Sequence, residues 1–158
     1  MNFLEQIAAE WYESQGYFVR TNTKANRRPN GGWNNELDVL AYDPAKRHLV
    51  HIETSWDADT WDQRQERYTT RKFVFSHQQY EALIGSSLAS VQRRAVVGTS
   101  QAPPVSSWGD GIEVCTVPQF IREIADGLRP RHPLRDIIPE TSPCLRSMQF
   151  ILAYERNA

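Results

Sequence analysis

Residues 36–55 read ELDVLAYDPAKRHLVHIETS. Two runs rich in Leu, Val and Ile, 36–42 and 48–54, flank Asp43-Pro44-Ala45-Lys46-Arg47, and an Asp-Pro start favours a turn. The pattern predicts a β-hairpin. Alternate residues of a strand share a face, so Glu36 and Asp38 point the same way on the first strand, as do His51, Glu53 and Ser55 on the second. A carboxylate inside an otherwise apolar strand is expensive to bury unless it is paired, hydrogen-bonded or bound to a cation. Asp38 and Glu53 are therefore the first candidates for function.

This stretch resembles the core of the PD-(D/E)XK nuclease superfamily, which holds many restriction endonucleases, Holliday-junction resolvases and repair nucleases. In that family an Asp at the end of one strand and a (D/E)-x-K tripeptide on its neighbour bind Mg2+ and activate water. Asp38, within Glu36-Leu37-Asp38-Val39, matches the first acid, and Glu53-Thr54-Ser55 lies where (D/E)-x-K belongs. Two positions depart from the pattern: Ser55 stands in place of Lys, and Leu37 in place of Pro. Glu-Leu-Asp is nevertheless a spelling that many members use. The resemblance implies Asp38 and Glu53 as ligands of Mg2+ or Mn2+, with the Thr54 backbone carbonyl as a further ligand. Glu36 is either a supporting acid, a ligand of a second ion, or a strand-edge charge facing solvent.

A chain of 158 residues fits one domain with a genuine core. Its 40% hydrophobic and 23% charged residues read as globular rather than disordered. A net charge of -1 supplies no overall attraction to nucleic acid, so a DNA site has to rest on local clustering of the 18 Lys and Arg. Cys115 and Cys144 have no metal-binding spacing and make no disulfide framework. They predict reduced thiols in a cytosolic, cytoplasmic protein. No apolar run approaches the roughly 18 residues of a membrane span, and the start shows no signal-peptide pattern.

On the N-terminal side, Phe3, Leu4, Ile7, Ala8, Trp11 and Tyr12 recur at helical spacing and predict an amphipathic helix ended by Gly16. Glu5 reads first as a solvated charge at the helix start, with reach towards an active site as the sharper alternative. Residues 17–21 predict a strand. Residues 22–35 predict a loop or hairpin tip in which Lys24, Arg27 and Arg28 grip phosphates and Trp33 stacks on a base.

On the C-terminal side, Asp59 or Thr60 caps a polar helix carrying Arg64, Arg67, Arg71 and Lys72. A stripe of this kind is commonly a solvated face, yet it follows the second acidic strand directly, and Arg64, Arg67 and Arg71 are accordingly candidates for contact with DNA. In some family members the catalytic cation has migrated onto this helix. Lys72 is the candidate for that role, with Arg71 and Arg64 as rivals. Phe73, Phe75, Tyr80, Leu83 and Ile84 continue the apolar pattern to Gly85, and His77, Gln79 and Tyr80 either line a groove or simply pack. Strands are predicted at 94–99 and 112–117, a loop at 101–111, and a helix from Pro118 to Leu128.

Residues 129–143, with four prolines and Arg129, Arg131 and Arg135, read as an extended basic linker. The final helix, started by Ser142-Pro143, packs on its own domain or on a second copy, making a homodimer. The element order resembles the restriction-endonuclease-like αβββαβ core, an α/β fold whose mixed central sheet is flanked by helices. Residues 1–128 form the core domain, and 129–158 add the linker and C-terminal helix. The resulting expectation is a Mg2+-dependent endodeoxyribonuclease acting on DNA, with Asp38, Glu53, Ser55 and Lys72 at its catalytic centre. Two competitors stand beside it: a nuclease-like DNA-binding or assembly module without hydrolysis, favoured by the missing lysine, and an ordinary α/β domain that binds protein partners.

Overall fold

The computed structural model describes residues 2–99 and 101–155. Helix α1 (Phe3–Ser14) buries Leu4, Ile7, Ala8, Trp11 and Tyr12. Its start is a capping box: the Asn2 side chain accepts from the Glu5 N–H, and the Glu5 carboxylate accepts from the Asn2 N–H. Glu5 is therefore buried as half of a cap rather than solvated.

Three antiparallel strands follow, β1 (Phe18–Arg27), β2 (Trp33–Asp43) and β3 (His48–Ser55). β4 (Ser90–Val97) and β6 (Ile112–Thr116) continue the sheet parallel to β3, and the short β5 (Ser107–Trp108) closes one edge antiparallel to β6. The order is β1-β2-β3-β4-β6-β5, a mixed sheet of an α/β protein. The predicted hairpin is the β2–β3 pair, with Ala45 and Lys46 N–H groups capped by the Asp43 carboxylate.

The predicted loop at 22–35 is largely strand. Asn22 and Asn26 take left-handed φ values of 49° and 56° inside β1, so they bend a strand that continues to Arg27. Only residues 28–32 turn, with Gly31 and Gly32 at φ 90° and 79° supplying conformations that L side chains avoid. Lys24 is consequently a strand residue paired with Glu36, and Arg27 pairs with Trp33. β5 likewise forms inside the predicted 101–111 loop.

The sheet carries two layers. On one face, α1, α4 (Val117–Leu128) and α5 (Pro143–Tyr154) bury Val39, Ala41, Val50, Ile52 and Val96 against Phe120, Ile124, Leu128 and Leu145. Trp11 lies so close to α4 that a Cβ at Gly127 would come within 2.3 Å of its ring. On the other face lie α2 (Trp61–Arg67), a π-helical turn (Tyr68–Lys72) and α3 (His77–Ile84). They cover two clusters, one of Leu37, Leu40, Leu49, Phe75 and Tyr80, the other of Tyr68, Phe73, Ala95, Val97 and Trp108.

Residues 129–143 are not an extended linker. Ile138 is fully buried in the core, and its N–H donates to Gln149, whose amide in turn donates to the Arg131 and Asp136 carbonyls. α5 packs on α1 and α4 of its own chain, tied down where Glu10 Oε2 accepts from the Leu145 N–H at 2.9 Å. Phe150, Ile151 and Tyr154 remain exposed on its outer side. Both cysteines are free. No described helix is long and apolar enough to cross a membrane.

Candidate active site

β2 and β3 pair regularly from Asp43↔His48 to Val39↔Ile52. The next opposed residues in that register are Asp38 and Glu53, and here the ladder gives way to side-chain contacts. Asp38 Oδ2 accepts from the Thr54 N–H at 2.8 Å and from its hydroxyl at 3.3 Å. Glu53 Oε1 lies 3.4 Å from the Asp38 N–H. The interruption has a local cause. Leu37 and Leu40 pack in one cluster while Val39 and Ala41 pack in the other, so the period-two alternation breaks at Asp38. Its cross-strand neighbour is the left-handed Asn22.

The cation comes from the helical layer. Thr60 caps α2, but after Arg67 the helix widens into the π-helical turn, closed by the Phe73 N–H donating to the Tyr68 carbonyl at 3.0 Å. An extra residue in a turn resets which side chains face the sheet. Tyr68 and Lys72 point inward and Arg71 is exposed. Lys72 Nζ sits 2.6 Å from Glu53 Oε2 and 3.6 Å from Asp38 Oδ1.

Two acids and one cation share a half-buried space, and their protonation reflects it. Burial, then the adjacent Glu53 charge, pushes Asp38 up to about 6, against the pull of Lys72 and of the Thr54 N–H. Burial alone would lower the Lys72 ammonium, but Glu53 and Asp38 outweigh it and hold it above the usual lysine value. Glu53 is 1% exposed, and among the described residues its Oε2 has the Lys72 ammonium at 2.6 Å as its partner. Such a buried anionic oxygen suits a hard cation, for which oxygen donors are the normal ligands. Among the described residues no group of three or more His, Cys, Asp and Glu converges, so any ion here would rely on two carboxylates plus backbone or water oxygens.

The other sequence candidates divide. Ser55 stands beside the site with its hydroxyl accepting from Tyr68 at 2.9 Å; burial pushes the Tyr68 phenol up to about 12, which keeps it a donor. Glu36 is exposed on the strand opposite Lys24. Arg64, offered for DNA, is 5% exposed and spent on Asp57, donating from Nε at 3.2 Å and from Nη2 to its carbonyl at 2.9 Å. Arg67 is likewise committed to Asp57 at 2.5 Å and to Asp59. The predicted stripe thus locks the 57–60 segment down instead of facing solvent as a whole. Lys24, Arg27, Arg28 and Arg71 are exposed, and Asn35 donates to the Arg71 carbonyl at 3.1 Å, holding the β1–β2 end against the turn that carries Lys72.

Sequence reasoning gave no role to His51 or to Tyr80 at this site. Both are fully buried. His51 Nδ1 is 2.7 Å from the Tyr80 hydroxyl and Nε2 is 2.9 Å from Glu53 Oε1. The available signal was His51 sharing the Glu53 face at period two; nothing in the spacing pointed to Tyr80.

No family model and no curated protein matches the chain. Among solved structures, a crystal structure of a protein of unknown function, AF1548, aligns over 98% of this chain and 97% of its own, at 11% identity and a TM-score of 0.46. A likeness that loose carries no argument about fold family or activity.

Proposed function

We propose that the chain is a metal-dependent DNA endonuclease of the PD-(D/E)XK type, with a restriction-endonuclease-like core, in which Lys72 stands in for the lysine that Ser55 replaces. The observation that carries this reading is the Lys72 ammonium lying within 2.6 Å of Glu53 and 3.6 Å of Asp38. The two acids belong to neighbouring strands, and the cation comes from the helical segment after the second.

Asp38 and Glu53 Oε2 would hold Mg2+ or Mn2+, with the Thr54 carbonyl as a third oxygen. That carbonyl leaves β3 towards the same edge as the N–H bound by Asp38, because a residue's two backbone groups face the same neighbouring strand. An ion there supplies Lewis acidity towards the phosphodiester and acidifies a water. The chain's own residues do the rest. Lys72 faces the nonbridging oxygens, where charge builds during attack at phosphorus, and stabilises it. Ser55, oriented by Tyr68, offers a hydrogen bond but no charge. Lys24, Arg27, Arg28 and Arg71 contact backbone phosphates, with Trp33, 44% exposed, beside them for a base. The exposed outer side of α5 is the surface for a second copy, should two sites act on one duplex.

The test is cleavage of duplex, branched and single-stranded DNA with Mg2+ or Mn2+. We expect cutting by the wild type and none by Asp38→Ala or Glu53→Ala, both still folded. DNA binding without cutting under any of these conditions would instead leave the nuclease-like binding module.

A further inference from the structure

We infer that His51 and Tyr80 form a positioning relay behind the site, holding one oxygen of Glu53 so that the other alone faces Lys72. This rests on the metal-dependent reading above and assigns two further residues to it.

The chain of contacts has one consistent direction. A carboxylate oxygen only accepts, so the Glu53 contact puts the imidazole proton on Nε2, and the Tyr80 O–H donates to the remaining acceptor, Nδ1, at 2.7 Å. An imidazole that accepts at Nδ1 carries its proton at Nε2. That N–H donates to Glu53 Oε1 at 2.9 Å. Oε1 also faces the Asp38 N–H at 3.4 Å. Both donors are on one oxygen, and Oε2 is left to Lys72. Glu53 can then bind an ion through a single oxygen.

The ring itself is clamped. Phe73 and Phe75 meet the imidazole edge-on, with centroids 4.8 Å and 6.3 Å away, and Tyr80 packs at 5.6 Å. His51 is 0% exposed, so no water replaces either partner. Charged neighbours are Glu53 on its own strand, Lys72 from the π-helical turn and Arg93 on β4, whose guanidinium lies over the Tyr80 ring at 6.0 Å. With two cations already present, a neutral donor fixes the Glu53 carboxylate without cancelling its charge. Outer hydrogen-bond partners of this kind orient metal ligands and commonly change affinity by about 10- to 100-fold when removed.

The experiment titrates Mn2+ calorimetrically into the full chain as wild type, His51→Leu, His51→Gln, Tyr80→Phe and Asp38→Ala. Long-range 1H–15N spectra of the histidines and cleavage rates accompany it. We expect His51→Leu to weaken Mn2+ binding about 10- to 100-fold, and His51→Gln, which keeps an N–H donor, to recover part of the loss. Tyr80→Phe removes only a hydroxyl. It should fold even if His51→Leu does not, bind Mn2+ several-fold more weakly, and show two His51 tautomers where the wild type shows one. Wild-type Mn2+ affinity and cleavage in Tyr80→Phe and in any folded His51→Leu would overturn the relay, whatever their melting temperatures. If the wild type takes up no more Mn2+ than Asp38→Ala, the metal reading itself fails, and the role assigned to His51 falls with it.

Discussion

The two faces of the sheet each bury a cluster of charges, and the clusters are built to opposite ends. Under α1 and α4, Arg94 is 7% exposed and sits among acceptors. Its guanidinium meets both oxygens of Glu123, the Tyr12 hydroxyl at 3.3 Å and Glu113 at 3.0 Å. The ion pair itself stays ionised despite burial: Glu123 is held below the usual glutamate range, and Arg94 above its own, while burial raises the Tyr12 phenol and keeps it neutral. Under the π-helical turn the ratio is the same, two carboxylates to one ammonium, but the acids are enclosed: the Asp38 and Glu53 side chains are 13% and 1% exposed where Glu113 and Glu123 are each 39%, and Asp38 is pushed up to about 6. A cluster that serves folding satisfies its charges within the chain. One that holds an acid with a raised pKa is a candidate for function.

The largest expected effect is on the unsatisfied side. Lys72→Met leaves Asp38 and Glu53 facing each other without their ammonium. Should Lys72 stabilise the transition state, cleavage falls about 10²- to 10³-fold while Mn2+ binding persists or tightens, as single-turnover rates and calorimetry can read. Lys72→Met at wild-type rates would leave the cation without a catalytic role. The corresponding change across the sheet, Arg94→Leu, strands Glu123 in a half-buried site. Removing one partner of a fully buried pair costs about 3–5 kcal/mol, and solvent reaching the 39% exposed Glu123 side chain reduces that to about 1–3 kcal/mol. A shift of that size in urea midpoint is expected, with unaltered Mn2+ affinity in the folded fraction. Loss of metal binding at unchanged stability would show that the two clusters are not separate in function.

That contrast was only half legible in the sequence. Asp38 and Glu53 stand out because carboxylates interrupt two runs of Leu, Val and Ile, and period-two alternation places His51 beside Glu53. Lys72 could be nominated but not fixed. On a continuous α-helix, Arg64, Tyr68 and Arg71 or Lys72 share one flank, and it is the extra residue of the π-helical turn that sends Lys72 inward and Arg71 out. Nothing in local spacing announces that turn. Arg64 and Arg67 read as a DNA-facing stripe because their partners, Asp57 and Asp59, precede the helix in a segment whose backtracking geometry is tertiary. The bend in β1 was missed for a related reason. Asn and Gly mark turns in a sequence, but Asn22 and Asn26 take left-handed conformations inside a strand that β2 holds in register.

The smallest predicted effect is also the one whose sign separates the two faces. A carboxyl whose folded-state pKa is raised binds its proton more tightly in the native chain than in the unfolded one. Stability of the metal-free protein therefore falls as pH rises between the two values, here from about 4 to about 6. Below that window Asp38 contributes nothing; above it the accumulated penalty is about 3 kcal/mol, a ceiling set by the difference between the ordinary aspartate value and the native one. Asp38→Asn, which on the proposed function abolishes cleavage, should remove this penalty, and its amide oxygen can still accept from the Thr54 N–H. At pH 7.5 the variant should be more stable than the metal-free wild type by up to about 3 kcal/mol, and at pH 4 the two should converge. Glu123 behaves in the reverse sense, since its lowered pKa makes stability fall as pH drops, so Glu123→Gln destabilises at pH 7.5 and matters less in acid. Urea midpoints of the three proteins at the two pH values decide the matter. If Asp38→Asn is no more stable than wild type at pH 7.5, Asp38 is as well compensated as Glu123, and the excess negative charge that points to a bound ion is not there.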